Sequence, residues 1–269
     1  MKSLLLSIIF TFSIHSLSFA EPERSQEEIF MELKTSAEQG SSDSQTHLGS
    51  FYLFGLGTEQ NPIKALEWYE KAAAQGNPYA QLNLALMYDN GQGIQQDYEK
   101  AREWYEKAAE QGDATAQFNL GSMYAKGLGG LQDYAKSRAW YETAGDLGHT
   151  QALFNLALMY ANGEGVQQDY GKARELYEKA AILGEVRAQL NLALMYHSGQ
   201  GIQQDYARAR EWYEKAAAQG VAVAQFNLGS MYVKGQGVQE DAATAKEMFG
   251  SACENGLQEG CNAYRILND

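Results

Sequence analysis

Residues 80–112 read AQLNLALMYDNGQGIQQDYEKAREWYEKAAEQG, and residues 116–148 read AQFNLGSMYAKGLGGLQDYAKSRAWYETAGDLG. The second stretch repeats the pattern of the first 36 positions further on. The same step runs through most of the chain. Gly40, Gly76, Gly112, Gly148, Gly184, Gly220 and Gly256 form one column without a slip. Tyr52, Tyr88, Tyr124, Tyr160, Tyr196 and Tyr232 form a second, and Asp97, Asp133, Asp169, Asp205 and Asp241 a third. A fixed period of this size marks a stacked repeat array. Such arrays build long surfaces more readily than catalytic pockets.

Each unit carries two helical patterns. Ala80, Leu84, Met87 and Tyr88 fall at i, i+4, i+7 and i+8, one face of a 3.6-residue period. Gly91-Gln92-Gly93 ends that helix, because glycine accepts the positive φ of a helix stop. Asp97 stands where an N-cap accepts free amide hydrogens. Ala101, Trp104, Tyr105, Ala108 and Ala109 make the stripe of a second helix. Glu103 and Lys107 form an i,i+4 pair on its outer face. Gly112 stops it, and the next unit begins. Residues 26–39, with Ile29, Leu33 and Ala37, read as a second-type helix, and residues 260–267 as a first-type helix. The pattern predicts about fourteen helices in antiparallel pairs.

The run Ala116-Gln-Phe-Asn-Leu-Gly-Ser-Met-Tyr124, then Gly127-x-Gly129, Asp133, Ala139-Trp140-Tyr141 and Gly148, resembles a Sel-1-like repeat. That family is tetratricopeptide-like, with a unit of 36 residues where the tetratricopeptide repeat has about 34. The resemblance implies an all-α, right-handed α-solenoid and covers about residues 26–267. It places units at 44–79, 80–115, 116–151, 152–187, 188–223 and 224–259. An N-terminal capping helix falls within 21–43 and a C-terminal one within 260–269. Departures are local. Leu176 and Met248 replace the tryptophan of the second helix, Gly130 adds a glycine to one turn, and Thr143 and Gly145 interrupt the Lys-Ala-Ala run. Gly145 is expected to weaken its helix by about 1 kcal/mol relative to alanine.

The first twenty residues differ in composition. Lys2 precedes an apolar stretch from Leu4 to Ile14, and Ser18-Phe19-Ala20 puts small residues at the −3 and −1 positions of a cleavage site. The run is short for a span of about 20 residues, which favours a cleaved leader at 1–20 over an uncleaved anchor. A periplasmic or secreted location is the expectation. No cysteine follows the cleavage site, so a lipoprotein anchor is not indicated. The chain carries a formal charge of −13, and −14 once Lys2 is removed. Such a surface repels nucleic acid and anionic lipid. It points to no nucleic-acid partner and no membrane insertion after cleavage, and leaves a basic partner open.

Cys253 and Cys261 are the only cysteines. In an oxidising compartment an even pair suggests a disulfide, against a metal or redox pair as the competing reading. Cys253 stands in the column of Ala73 and Ala109, and Cys261 in that of Gln81 and Gln117. Both therefore flank a helix–helix turn. The C-x7-C spacing is similar to that of cysteine-rich secreted members of the family, which carry such a bridge in each repeat. Here the bridge would hold only the terminal hairpin, the unit with one neighbour.

Signals for catalysis, cofactors and metals are weak. His47, His149 and His197 show no metal-ligand spacing, and H-E-x-x-H, G-x-S-x-G and S-x-x-K are absent. The glycine turns follow helices, not strands, and so read as connectors rather than phosphate loops. The stripe of Trp68, Trp104, Trp140 and Trp212 with its tyrosine neighbours reads as packed core rather than as a base-stacking surface. One polar column stands out. Asn83, Asn119, Asn155, Asn191 and Asn227 sit in mid-helix, where asparagine is a poor choice. By resemblance to tetratricopeptide repeats the first helix lines the concave face, where asparagines hold the backbone of an extended peptide. Inter-repeat hydrogen bonds copied by duplication are the competing explanation. Positions that differ between units are candidates for specificity, with neutral drift at an exposed helix end as the competing reading. They include Asp89/Asn90, Ala125/Lys126, Ala161/Asn162, His197/Ser198 and Val233/Lys234, and Leu86, Leu158 and Leu194 against Ser122 and Ser230. Lys126, His197 and Lys234 join the asparagines as candidate peptide-binding residues.

The expectation is a non-catalytic exported scaffold or adaptor that binds a protein or extended peptide on its concave face. The alternative is a cell-envelope ligand-binder, or a weak β-lactam-hydrolysing enzyme like some cysteine-rich members. The missing S-x-x-K and the single cysteine pair count against that inheritance.

Overall fold

A computed structural model describes residues 24–268, so the expected leader at 1–20 lies outside the described residues. Among these residues the chain forms fourteen helices and no strand. The first helices of the units are α2 (Ser42–Phe54), α4 (Pro78–Asn90), α6 (Ala114–Lys126), α8 (Thr150–Asn162), α10 (Val186–Ser198), α12 (Ala222–Lys234) and α14 (Gln258–Ile266). The second helices are α1 (Gln26–Glu38), α3 (Pro62–Ala74), α5 (Tyr98–Glu110), α7 (Tyr134–Asp146), α9 (Tyr170–Ile182), α11 (Tyr206–Ala218) and α13 (Ala242–Glu254). Each helix packs on the one before and the one after it in the chain, which makes a helical solenoid. The first helix of a unit starts two residues ahead of the boundary drawn at Ala80, at Pro78.

The local signals behave as their chemistry dictates. Asp97, Asp133, Asp169 and Asp205 cap second helices by accepting from a backbone N–H three residues on, at 3.1, 3.0, 2.9 and 3.0 Å. Gly91 closes α4 in the left-handed region at φ 66°. Gly93 serves a different need, since a Cβ there would run into Pro62 of the preceding unit. The ladder glycine Gly112 sits at φ 90° with open space around it, so backbone conformation alone holds that column. One loop device escaped the sequence reading. Gln60, Gln96, Gln132, Gln168 and Gln204 each donate an amide N–H to a carbonyl seven residues back and tie the interhelical loop down.

The core follows the predicted stripes, with Ala80, Leu84, Met87, Ala101, Tyr105 and Ala108 fully buried. The outer face differs from expectation. Lys107 does not pair with Glu103, and its ammonium lies 3.8 Å from the Trp104 ring centroid. Lys71 on Trp68 and Lys215 on Trp212 repeat the arrangement at 4.0 and 3.8 Å. A cation over an indole face gains more than an exposed ion pair held by two long side chains. Trp212 is buried, while Trp68, Trp104 and Trp140 are half-buried at the edge of the core.

A ladder of buried glutamines joins the repeats. Gln45, Gln81, Gln117, Gln189 and Gln225 each donate Nε2–H to a carbonyl eight residues back, at 3.1, 3.4, 3.1, 3.1 and 3.2 Å. Most also accept at Oε1 from a side chain thirty residues ahead. Gln75, Gln111 and Gln219 are three such donors, at 2.7, 2.7 and 2.8 Å, and Asn255 is the fourth, at 3.0 Å. The ladder breaks in mid-array, where Leu147, Leu153 and Leu183 replace glutamines. Gln117 Oε1 is then buried without a partner. Gly145 belongs to this break. A Cβ on it would stand 2.8 Å from Leu153 Cδ2, so the glycine makes room for the leucine. The expected cost of Gly145 relative to alanine therefore has a packing return. At the C-terminal end, Cys253 and Cys261 take the same eight-residue spacing and form a disulfide, with Cα atoms 4.5 Å apart.

Candidate interaction face

A first helix contacts a second helix on each of two sides, which leaves a third side open. In α6 the open side carries Thr115, Asn119, Ser122 and Lys126, at i, i+4, i+7 and i+11, all exposed or half-buried. Ala116, Gln117, Leu120, Gly121 and Met123 point inward and are buried. The same division recurs along the array. The five asparagines therefore share one open face, each half-buried.

Each asparagine follows by fourteen residues a buried tyrosine on the preceding second helix. Asn155 donates Nδ2–H to the Tyr141 hydroxyl at 3.2 Å, and Asn227 to that of Tyr213 at 3.3 Å. Burial raises the hydroxyl pKa of these tyrosines, to about 12 for Tyr69 and Tyr213. Tyr105 is raised first by burial and then by the charge of Asp89, whose carboxylate accepts from its hydroxyl at 3.2 Å. The sequence holds a signal for this pairing. Where tyrosine gives way to Phe249 or Leu33, the residue fourteen on is Ala263 or His47. The amide thus spends one N–H inside the array in the two bonded pairs. Its second N–H and its carbonyl oxygen stand on the half-exposed side.

The Leu/Ser contrast also has a packing component. Gly49-Ser50, Gly121-Ser122 and Gly229-Ser230 alternate with Ala85-Leu86, Ala157-Leu158 and Ala193-Leu194. A Cβ at Gly121 would press on the Tyr141 ring at 2.8 Å, and Ser50 meets the Tyr69 hydroxyl at 2.9 Å. The glycine admits a close ring, that of Tyr69, Tyr141 or Phe249, and at Ser50 the serine gives the tyrosine a hydrogen-bond partner.

Among the other candidates, Lys126 and Lys234 are exposed in the last turns of α6 and α12. His197 packs edge-on against the rings of Tyr206 and Tyr213, at 5.3 and 5.9 Å, and its Nδ1 is buried without a partner. Burial, followed by the charge of Lys234, holds its pKa down. The fold therefore brings His197 and Lys234 of neighbouring units into one electrostatic neighbourhood. Arg187 belongs to the same open side and was missed. It is half-exposed, bonds Glu185 at 2.7 Å and lies over the Phe154 ring at 4.3 Å. His149 is the N-cap of α8, where Nδ1 accepts from Ala152 N–H at 3.3 Å, with its ring stacked on Phe118. Among the described residues no three His, Cys, Asp or Glu side chains converge as for a metal, and no helix is long and apolar enough to cross a membrane.

The Sel1 repeat pattern matches residues 42–77, 78–113, 114–149, 150–185, 186–221 and 222–257. Among solved structures the chain is similar to a protective antigen present in uropathogenic Escherichia coli strains. The identity is 37% and the TM-score 0.84, over 86% of this chain. The chain spans 50% of that antigen's length. It is similar also to a Sel1 repeat protein from Oxalobacter formigenes, at 35% identity and a TM-score of 0.73, over 84% of this chain and 91% of that one. A comparison with curated proteins finds no match.

Proposed function

The chain belongs to the Sel1 repeat family, and we propose that it is an exported adaptor holding a protein or extended peptide against the open face of its first helices. Proteins of this family are generally interaction scaffolds and generally non-catalytic. The asparagine column carries the reading. Its amides spend one N–H inside the array, at Asn155 and Asn227, and offer the remaining groups at a regular spacing. An extended chain presents N–H and C=O groups at a regular spacing of its own, and a primary amide can pair with both. Lys126, His197 and Lys234 supply contacts that differ from unit to unit.

The apolar run from Leu4 to Ile14 and the Ser18-Phe19-Ala20 site support export to the periplasm or beyond, as does the Cys253–Cys261 bond, a chemistry of oxidising compartments. Two measurements test these points. Photo-crosslinkers placed at Ser122 and Leu194 should capture a bacterial envelope protein, and one at Glu211 on a second helix should not. Capture at Glu211 alone would refute the face. Mass spectrometry of chain recovered from cells should start at Glu21, and a retained Met1 would refute cleavage.

A further inference from the structure

Whole-chain charge and local charge disagree on the open face. The chain as a whole carries −13. Yet α6, α8, α10 and α12 hold no aspartate or glutamate. Their open side carries Lys126, Arg187 and Lys234, with His197 beside Lys234. At physiological ionic strength charges act over about 8 Å, so an incoming side chain meets this neighbourhood rather than the chain's total.

Helix-dipole complementarity explains only part of the pattern. It accounts for Lys126 and Lys234 in last turns. It also favours carboxylates in first turns, and none of these four helices has one there. Arg187 is the second residue of α10, at the end where the dipole disfavours a cation. The carboxylates flanking this face hold partners within the array. Asp89 of α4 accepts from the Tyr105 hydroxyl, Asp113 caps α6, Glu164 accepts from Asn162, and Glu185 caps α10 while pairing with Arg187.

We propose that the open face of α6, α8, α10 and α12 takes an acidic extended segment, with Lys126, Arg187 and Lys234 meeting its carboxylates and the asparagines its backbone. This inference rests on the peptide-binding reading above and names the chemistry of the partner. An exposed cation gains little from one surface pair, but several aligned on one face suppress wrongly charged partners and steer the right one.

The test uses the full chain and a displayed random twelve-residue peptide library. Selected peptides should be enriched in Asp and Glu over the input. A synthetic selected peptide should bind K126E/K234E at least about tenfold more weakly, a loss of about 1.4 kcal/mol. Circular dichroism should show both chains equally folded, because both lysines are exposed. R187Q, tested separately, should weaken binding in the same direction without reversing a charge beside Glu185. Selected peptides without acidic enrichment, lost on N119A/N155A/N191A, would overturn the charge inference and leave the peptide-binding reading standing. No selection at all would overturn both. Equal binding of a twelve-nucleotide single-stranded DNA would overturn the assignment to a peptide.

Discussion

Leu147→Gln should stabilise the middle of the array. In four other places a donor thirty residues ahead satisfies the Oε1 of a ladder glutamine, at 2.7 to 3.0 Å. At Gln117 the donor position is Leu147, and the oxygen is buried and unpaired. Leaving such an acceptor unsatisfied costs about 1–3 kcal/mol. Leu147 is 58% exposed, so its replacement sacrifices less than about 1 kcal/mol of apolar burial. The net gain should be about 1 kcal/mol, and a gain of that size raises Tm by about 2–4 °C for a chain of this length. Repeat arrays depart from two-state unfolding, so native-state hydrogen exchange is the sharper assay. Amides of α6 to α8 should gain about fivefold in protection, the ratio that 1 kcal/mol represents. Gln111→Leu is the mirror experiment. It orphans Gln81 Oε1 and should cost α4 to α6 about 1–3 kcal/mol. If Leu147→Gln leaves protection unchanged while Gln111→Leu is harmless, the ladder does not join the repeats and the reasoning fails.

Three further outcomes are expected. Reducing the Cys253–Cys261 bond, which closes a separation of 8 residues, should cost about 2.5 kcal/mol in the chain-entropy account and raise amide exchange mainly in α13 and α14. Uniform loosening would contradict a terminal clasp. Tyr141→Phe and Asn155→Ala should show a coupling of about 0.5–1.5 kcal/mol in a double-mutant cycle, whereas full additivity would make the asparagine free for binding alone. The His149 pKa is depressed by burial, so its neutral form is favoured in the fold. Its stabilising contribution is complete above the unfolded value of about 6.5 and is lost as pH falls through the lower folded value. A urea midpoint followed from pH 7.5 to 5 should therefore fall less steeply in His149→Asn, and an unchanged slope would refute the cap as its source.

The helices, their caps and the loop glycines were legible because each depends on residues close in sequence. Asp97 and Gly91 act within one turn, and a column of such residues repeats the message. The links between helices were not legible by the same means. A 36-residue period gives the register of each unit but not which faces meet. The Tyr141–Asn155, Gln117–Ala109 and Gln111–Gln81 contacts therefore needed the packed helices. Each still left a trace in the letters, through paired departures. Phe249 goes with Ala263, Gly145 with Leu153, and Gly121 with Ser122. Net charge misled for a related reason. It averages the acidic second helices, caps and loops with four first helices, α6, α8, α10 and α12, that carry none of the acid.

These paired departures change how variation between units bears on function. A position that differs from unit to unit is a recognition candidate only when no buried neighbour changes with it. Ser122 against Leu86 fails that condition, because Gly121 and the Tyr141 ring change the local fit together. The Leu147, Leu153 and Leu183 substitutions fail it as well, since Gly145 accompanies them. Tyr79, Thr115, Gln151, Arg187 and Val223 meet it, as do Asn90, Lys126, Asn162, Ser198 and Lys234. These residues lie at the exposed ends of the open face, and of them Arg187 rests on a buried ring, that of Phe154. The asparagines between them are constant from α4 to α12, and Asn155 and Asn227 are bonded inward, so the column can hold any extended backbone alike. Discrimination among partners then falls to the two flanking rows, where Lys126, Arg187 and Lys234 supply the charge.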